Sequence, residues 1–209
     1  MQLNQLSFDL LHPQPLIIVI SGTSGIGKDA VIKGLKKRNM PLHFVITATS
    51  RTPRSYERDG VDYFFFPKEE FEKRIEAGEF IEHALVYQDY KGIPRWQVDE
   101  ALKSGKDVVL KLDVQGAATI RKLYPEAVLI FLIPNTVEEW FDRLCDRKSE
   151  TPETLKVRID TAIKEVAQID IFDYVVLNAQ DRLEAAVDDI VEIINGEHLR
   201  VHQRKMFKE

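Results

Sequence analysis

The segment Gly22-Thr23-Ser24-Gly25-Ile26-Gly27-Lys28-Asp29 carries two glycines and a lysine at the spacing GxxxxGK. Glycines at these intervals let successive backbone N–H groups turn onto phosphate oxygens. A helix after the loop adds the partial positive charge of its N-terminus, and the Lys28 ammonium reaches the outer phosphates. The chemistry is that of a nucleoside triphosphate site. The eighth position departs from the pattern, because Asp29 stands where a Ser or Thr hydroxyl would ligate Mg2+. A carboxylate beside triphosphate oxygens is repelled unless a cation lies between them, so Asp29 either takes the metal itself or turns to another partner. Further on, Arg51 and Arg54 flank Pro53 in a polar stretch. Two guanidinium forks at that spacing could clamp a phosphate dianion, or stand solvated on a loop. Tyr63 could add a hydroxyl to the same phosphate, or pack as core within the run Tyr63-Phe64-Phe65-Phe66. Arg143 and Arg147 are four apart and share a helix face. The five histidines and single cysteine suggest no zinc site.

These residues need a frame. Residues 16–21 (LIIVIS) form a continuous apolar, β-branched run, the pattern of a strand buried on both faces of a parallel sheet. The glycine-rich turn comes at once after it, and residues 28–38 read as a helix. Residues 107–112 and 127–133 repeat the buried-strand pattern, each succeeded by a helical stretch, 115–123 and 137–147. Residues 172–177 read as a last strand and 181–194 as a closing amphipathic helix. Alternating strands and helices predict an α/β protein with its parallel sheet covered on both sides. The stretch 47–93 breaks the rhythm with turn residues, an aromatic run, a short helix near 68–77 and strand-like residues over 80–90. It reads as an inserted, partly antiparallel subdomain. Residues 146–153, polar and containing Pro152, separate two helices and suit a lid. The last fourteen residues, 196–209, read as a surface extension of the final helix.

Composition narrows the partners. The 209 residues include 29 Lys and Arg against 34 Asp and Glu, a net charge of -5, which argues against a general grip on nucleic acid. With 44% hydrophobic and 30% charged residues the chain is an ordinary globular one. Cys145 alone cannot form an internal disulfide, which favours a reducing compartment. No apolar stretch approaches the roughly 20 residues of a membrane span, and no basic region precedes residues 16–20 as in a signal peptide. The expected location is the cytoplasm, with no membrane partner.

Several separated motifs then fall in one order. After the phosphate loop come Thr47-Ala48-Thr49-Ser50-Arg51-Thr52-Pro53-Arg54, Gly60-Val61-Asp62-Tyr63, Gly78-Glu79-Phe80-Ile81-Glu82-His83-Ala84, Tyr90-Lys91-Gly92, Leu112-Asp113-Val114-Gln115-Gly116, and the arginines 143, 147 and 158. On these residues the chain resembles the guanylate kinase family of phosphate-loop nucleoside monophosphate kinases, over roughly residues 15–194. The resemblance implies a three-layer fold with a parallel-sheet core over 15–46 and 94–195. It also implies an inserted mixed α/β subdomain for the monophosphate over 47–93 and a helical lid over 143–158. Residues 1–14 and 196–209 are then terminal extensions. It implies phosphoryl transfer from ATP to GMP, giving ADP and GDP, with dGMP a further acceptor and Mg2+ bound with ATP. The enzyme would be a monomer or homodimer.

By the same resemblance Gly22, Thr23, Ser24, Gly25, Ile26, Gly27, Lys28 and Asp29 hold ATP. Thr47, Arg51, Arg54, Tyr63, Glu82, Tyr90, Lys91 and Asp113 hold GMP, and Lys28, Arg51, Arg143, Arg147 and Arg158 act in transfer. Asp29 and Asp113 are the metal candidates. Glu82 would read guanine, because a carboxylate accepts from the N1–H and N2–H2 edge that adenine lacks. Four positions depart from the family pattern. Asp29 replaces the loop hydroxyl, and Lys111 stands where the first of two strand aspartates is expected. Lys91 stands in place of a phosphate-binding tyrosine, and Ile93 in place of a serine on guanine O6. Two alternatives are an inactive guanylate-kinase-like module that binds protein partners and a kinase for another monophosphate. Retention of Lys28, Arg51, Arg54, Glu82 and the three lid arginines favours the enzyme. Asp29 and Lys111 lie on elements expected to be neighbours, which predicts an ion pair in the empty enzyme, with Asp29 passing to Mg2+ or its water shell when ATP binds. The rival reading makes Asp29 an inert helix-start residue favoured by the dipole.

Overall fold

The structure is a computed structural model that describes residues 13–86, 88–145, 152–202, 204 and 206. In chain order its elements are β1 (Ile17–Gly22), α1 (Lys28–Lys37), β2 (Leu42–Phe44), β3 (Ala48–Thr49), β4 (Phe64–Phe65), α2 (Lys68–Glu76), β5 (Phe80–Val86), β6 (Asp89–Pro94), α3 (Arg95–Lys103) and β7 (Asp107–Lys111). They continue with α4 (Val114–Leu123), β8 (Val128–Ile133), α5 (Val137–Cys145), α6 (Pro152–Val166), β9 (Tyr174–Leu177) and α7 (Leu183–His198).

β1 is buried at every position because its apolar side chains alternate onto two covered faces. It is the centre of a five-stranded, wholly parallel sheet in the order β2-β7-β1-β8-β9. α3 and α4 pack on β7 and β1, while α1 and α7 pack on each other and on β1 and β9. The α/β reading holds, and the four predicted core strands lie within two residues of their expected bounds. β2 and α3 are additions. β2 is a three-residue edge strand with every residue half-buried, so it has no apolar run to mark it. α3 turns a polar residue inward: Gln97 is buried, donates to Ile46 O at 2.6 Å and accepts from Ile46 N at 3.0 Å, tying α3 to the chain beyond β2.

The inserted stretch forms a second sheet, ordered β4-β3-β6-β5, in which only β3 and β4 are parallel. Its own core is aromatic. Phe71 stacks on Phe80 at 4.4 Å and on Tyr90 at 5.4 Å, with Phe64, Phe66 and Ile75 around them.

The C-terminal stretch behaves differently from a surface extension. Glu197 is buried, and Arg204, also buried, returns to it with Nε–Oε2 at 2.7 Å and Nη2–Oε1 at 2.9 Å. Tyr174 OH adds a third bond at 2.6 Å, and Met206 joins the main core. A buried carboxylate requires such partners, since an unpaired one is strongly destabilising.

Candidate active site

Three phosphate-loop glycines have positive φ: Gly22, Gly25 (φ 85°) and Gly27. Gly22 has φ 140°, and a Cβ there would lie 2.7 Å from Leu132 O; Gly27 has φ 96° as it caps α1, and its Cβ would lie 2.6 Å from Asn178 Nδ2. That amide donates to Ile26 O at 2.7 Å, and Trp140 Nε1 donates to Ser24 O at 2.9 Å. Arg143 belongs to the same brace: it donates to Asn178 O at 2.9 Å and Ile26 O at 3.4 Å, and pairs with Glu139. Thr23 is buried in the loop. Lys28 lies back over it, with Nζ donating to Gly22 O at 2.5 Å and Thr23 O at 3.1 Å. Burial lowers its pKa, opposed by the charges of Glu165, Asp113 and Asp29.

At the start of α1, Asp29 Oδ1 meets Lys111 Nζ at 2.5 Å, so the ion pair expected from the two anomalous residues is present. Burial opposes the Asp29 charge, but the Lys111 hydrogen bond and charge prevail and hold its pKa below the ordinary carboxylate value. Asp113 caps α4, its Oδ1 accepting from Gly116 N at 2.8 Å.

A cavity of about 490 Å³ opens beside these groups. Its wall contains Lys28, Asp29, Lys111 and Asp113 together with Thr47, Tyr63, Glu82 and Lys91. Glu82 comes from β5 and faces Ile93 on β6 across the antiparallel ladder. Its pKa is raised to about 7, first by burial and then by the charge of Asp113. Ile93 also lines the cavity and is only 1% exposed, so it offers apolar surface and no hydrogen bond.

Other expected residues lie elsewhere. Arg51 is not itself in the cavity wall but is forked on Glu57, which is, with Nη1–Oε2 at 2.7 Å and Nη2–Oε1 at 2.5 Å, and it lies over the wall residue Tyr63 at 5.2 Å. Arg54 is exposed; its backbone N–H donates to Glu57 Oε2 at 2.8 Å and its Nη1 to Tyr56 OH at 2.9 Å. Tyr90 stacks in the aromatic core and donates to Glu72 at 3.2 Å, outside the cavity wall. Arg158 is half-buried on α6. Arg147 lies outside the described residues.

Sequence reasoning missed two carboxylates. Glu57, held by Arg51 and then by the Arg54 N–H, has its pKa lowered to about 2. Its signal is an acidic residue three positions after the second of two loop arginines. Glu165 on α6 approaches Lys28, and its Oε2 is buried with no hydrogen-bond partner among the described residues. The charges of Glu165, Asp113 and Asp29 all act on Lys28, so hard oxygen donors are present near the loop lysine. Among the described residues no three His, Cys, Asp or Glu side chains form a metal-holding group. The donor set fits Mg2+, which takes one or two carboxylates, keeps several waters and accepts phosphate oxygens.

Known proteins are similar to this chain over most of its length. The guanylate kinase family model matches residues 14–197. A rice (Oryza sativa subsp. japonica) protein named guanylate kinase 2, chloroplastic/mitochondrial, is 50% identical over 193 residues, 92% of this chain and 68% of the relative. A guanylate kinase of Clostridium perfringens is 42% identical over 190 residues, 91% of this chain and 87% of the relative. The crystal structure of guanylate kinase from Anaplasma phagocytophilum superposes with a TM-score of 0.72 at 26% identity, covering 92% of this chain and 90% of that one. The chain belongs to the guanylate kinase family.

Proposed function

We propose that the protein transfers the terminal phosphoryl group of ATP to GMP, giving ADP and GDP, with a division of labour among the residues of the cavity and its surroundings. The backbone of Gly22 to Gly27 cradles the triphosphate, and Lys28 moves from the loop carbonyls to its outer oxygens. Glu82 pairs with the guanine edge, with Thr47 as a further donor to the base. Tyr63, Lys91 and the Arg51–Arg54 pair hold the GMP phosphate. Asp29 and Asp113 would hold Mg2+, which when bound neutralises charge between the phosphates. No nucleophilic side chain is needed, because the GMP phosphate is itself the acceptor. Positioning and charge compensation by Lys28, Arg51, Arg147 and Arg158 carry the reaction, with Arg143 bracing the loop that holds ATP.

The observation that supports this reading is one cavity with both the phosphate-loop lysine and Glu82 in its wall. A coupled assay of ADP formation with GMP, dGMP, AMP and UMP tests it. GMP is expected to be the best acceptor with dGMP second. Equal rates with AMP or UMP would favour a different monophosphate, and none with any acceptor would favour a binding module. Among the described residues no helix is long and apolar enough to cross a membrane. A cytoplasmic monomer or homodimer remains our reading, and sedimentation velocity decides between the two states.

Glu57 has a defined part in this scheme. By occupying both terminal nitrogens of Arg51 it fixes the guanidinium against Tyr63 before GMP arrives. Glu57→Gln is expected to raise the KM for GMP about tenfold with kcat and the KM for ATP little changed, as for loss of one charge-assisted hydrogen bond. Steady-state kinetics measures this; an unchanged KM for GMP would show that Arg51 is oriented by other means.

A further inference from the structure

The ion pair of Asp29 and Lys111 sits in the cavity wall. Its part in nucleotide binding rests on the kinase reading, in which the phosphate loop takes ATP. The two side chains are 75% and 42% exposed. An ion pair so exposed contributes little and opens at little cost. A polyphosphate carries several negative charges, so its summed repulsion of the Asp29 carboxylate exceeds the attraction of one exposed ammonium. Asp29 is the second residue of α1, and the helix dipole that favours its charge is the same feature that draws phosphate to this end of the helix. A bound polyphosphate therefore disturbs the pair as it stands.

Lys111 is placed to use the change. β7 pairs with β1 so that Lys111 lies opposite Ile20, directly before the loop. Lys28 has two loop carbonyls to hold it, whereas among the described residues the hydrogen-bond partner of Lys111 is Asp29 alone.

We propose that Asp29 and Lys111 form a metal-released pair: Asp29 leaves Lys111 for the Mg2+–nucleotide complex, and the freed Lys111 ammonium becomes an additional phosphate-binding cation. Metal binding and exposure of that cation are then one event. Lys111 acts as a mask on Asp29 in the empty enzyme and as a phosphate ligand in the loaded one.

Calorimetric titration with ADP, in Mg2+ and in EDTA, tests this without turnover. The wild type is expected to bind ADP about tenfold more tightly with Mg2+ than in EDTA. Asp29→Asn should bind ADP in EDTA about tenfold more tightly than wild type, because the repelling charge is gone and Lys111 is free, and should lose most of the Mg2+ effect. Adding Lys111→Met should abolish that gain, which isolates the coupling between the two positions. Unchanged ADP affinity in Asp29→Asn, a full Mg2+ effect in that variant, or a gain that survives Lys111→Met would each overturn the proposal. Far-UV circular dichroism and the thermal midpoint report that each variant is folded, and Asp29→Ser repeats the test should the asparagine variant fail. Wild-type turnover of GMP is assayed alongside; its absence would overturn the kinase reading, which ADP binding does not measure.

Discussion

Arg158→Ala is expected to lower kcat about 1,000-fold while changing ground-state binding of ATP and GMP by less than about threefold. In transfer between two phosphates the charge to be neutralised gathers on the migrating group, so a guanidinium that meets it only there shows itself in turnover. Arg158 is half-buried on α6, at the end of the segment expected to form the lid. Lysine should restore only part of the loss, since it keeps the charge and lacks the planar fork. Steady-state kinetics with calorimetric binding tests the split; intact turnover would remove Arg158 from the mechanism. Arg143 should differ, because its guanidinium already holds Asn178 O, Ile26 O and Glu139. Its loss is expected to loosen the loop and appear mainly in the KM for ATP.

The second large effect belongs to the base. Glu82→Gln should lower kcat/KM for GMP about 100-fold with ATP affinity unchanged, because an amide offers one acceptor where two donors need pairing in a half-buried site. Ile93 cannot compensate, being apolar and buried beside it. The pKa of Glu82, raised to about 7, adds a pH signature. The base edge needs the carboxylate, which is present above that pKa and lost as pH falls through it. GMP affinity should therefore rise with pH through about 7 and then level, by linkage. In Glu82→Gln that rise should vanish. Equal losses for GMP and ATP, or a slope that survives in the variant, would count against Glu82 as the guanine reader.

The local signals in the chain are strong where each element declares itself. Residues 16–21, 107–112 and 127–133 are largely apolar at consecutive positions, which a strand covered on both faces accommodates. The two glycines and Lys28 of the phosphate loop are tied to backbone geometry within eight residues. The ordered set of motifs carries the family, and with it the roles proposed for Glu82 and Asp113, which no single stretch could supply.

What tertiary structure decided were the partnerships. Arg51 and Tyr90 both read as phosphate ligands by resemblance; the fold gives the first a carboxylate partner, Glu57, that sequence reasoning missed, and draws the second into the aromatic core with its hydroxyl on Glu72. Arg143 groups with the lid arginines by spacing, yet it braces a loop more than a hundred residues earlier. Glu197 and Arg204 look like polar residues of a tail, and burial of one requires the return of the other. Asp29 and Lys111 are visible in the sequence as two oddities; the parallel register of β1 and β7 brings them within 2.5 Å. Periodicity and turn chemistry are local and can be read along the chain, whereas the partner of a charged side chain depends on which distant segment is packed beside it.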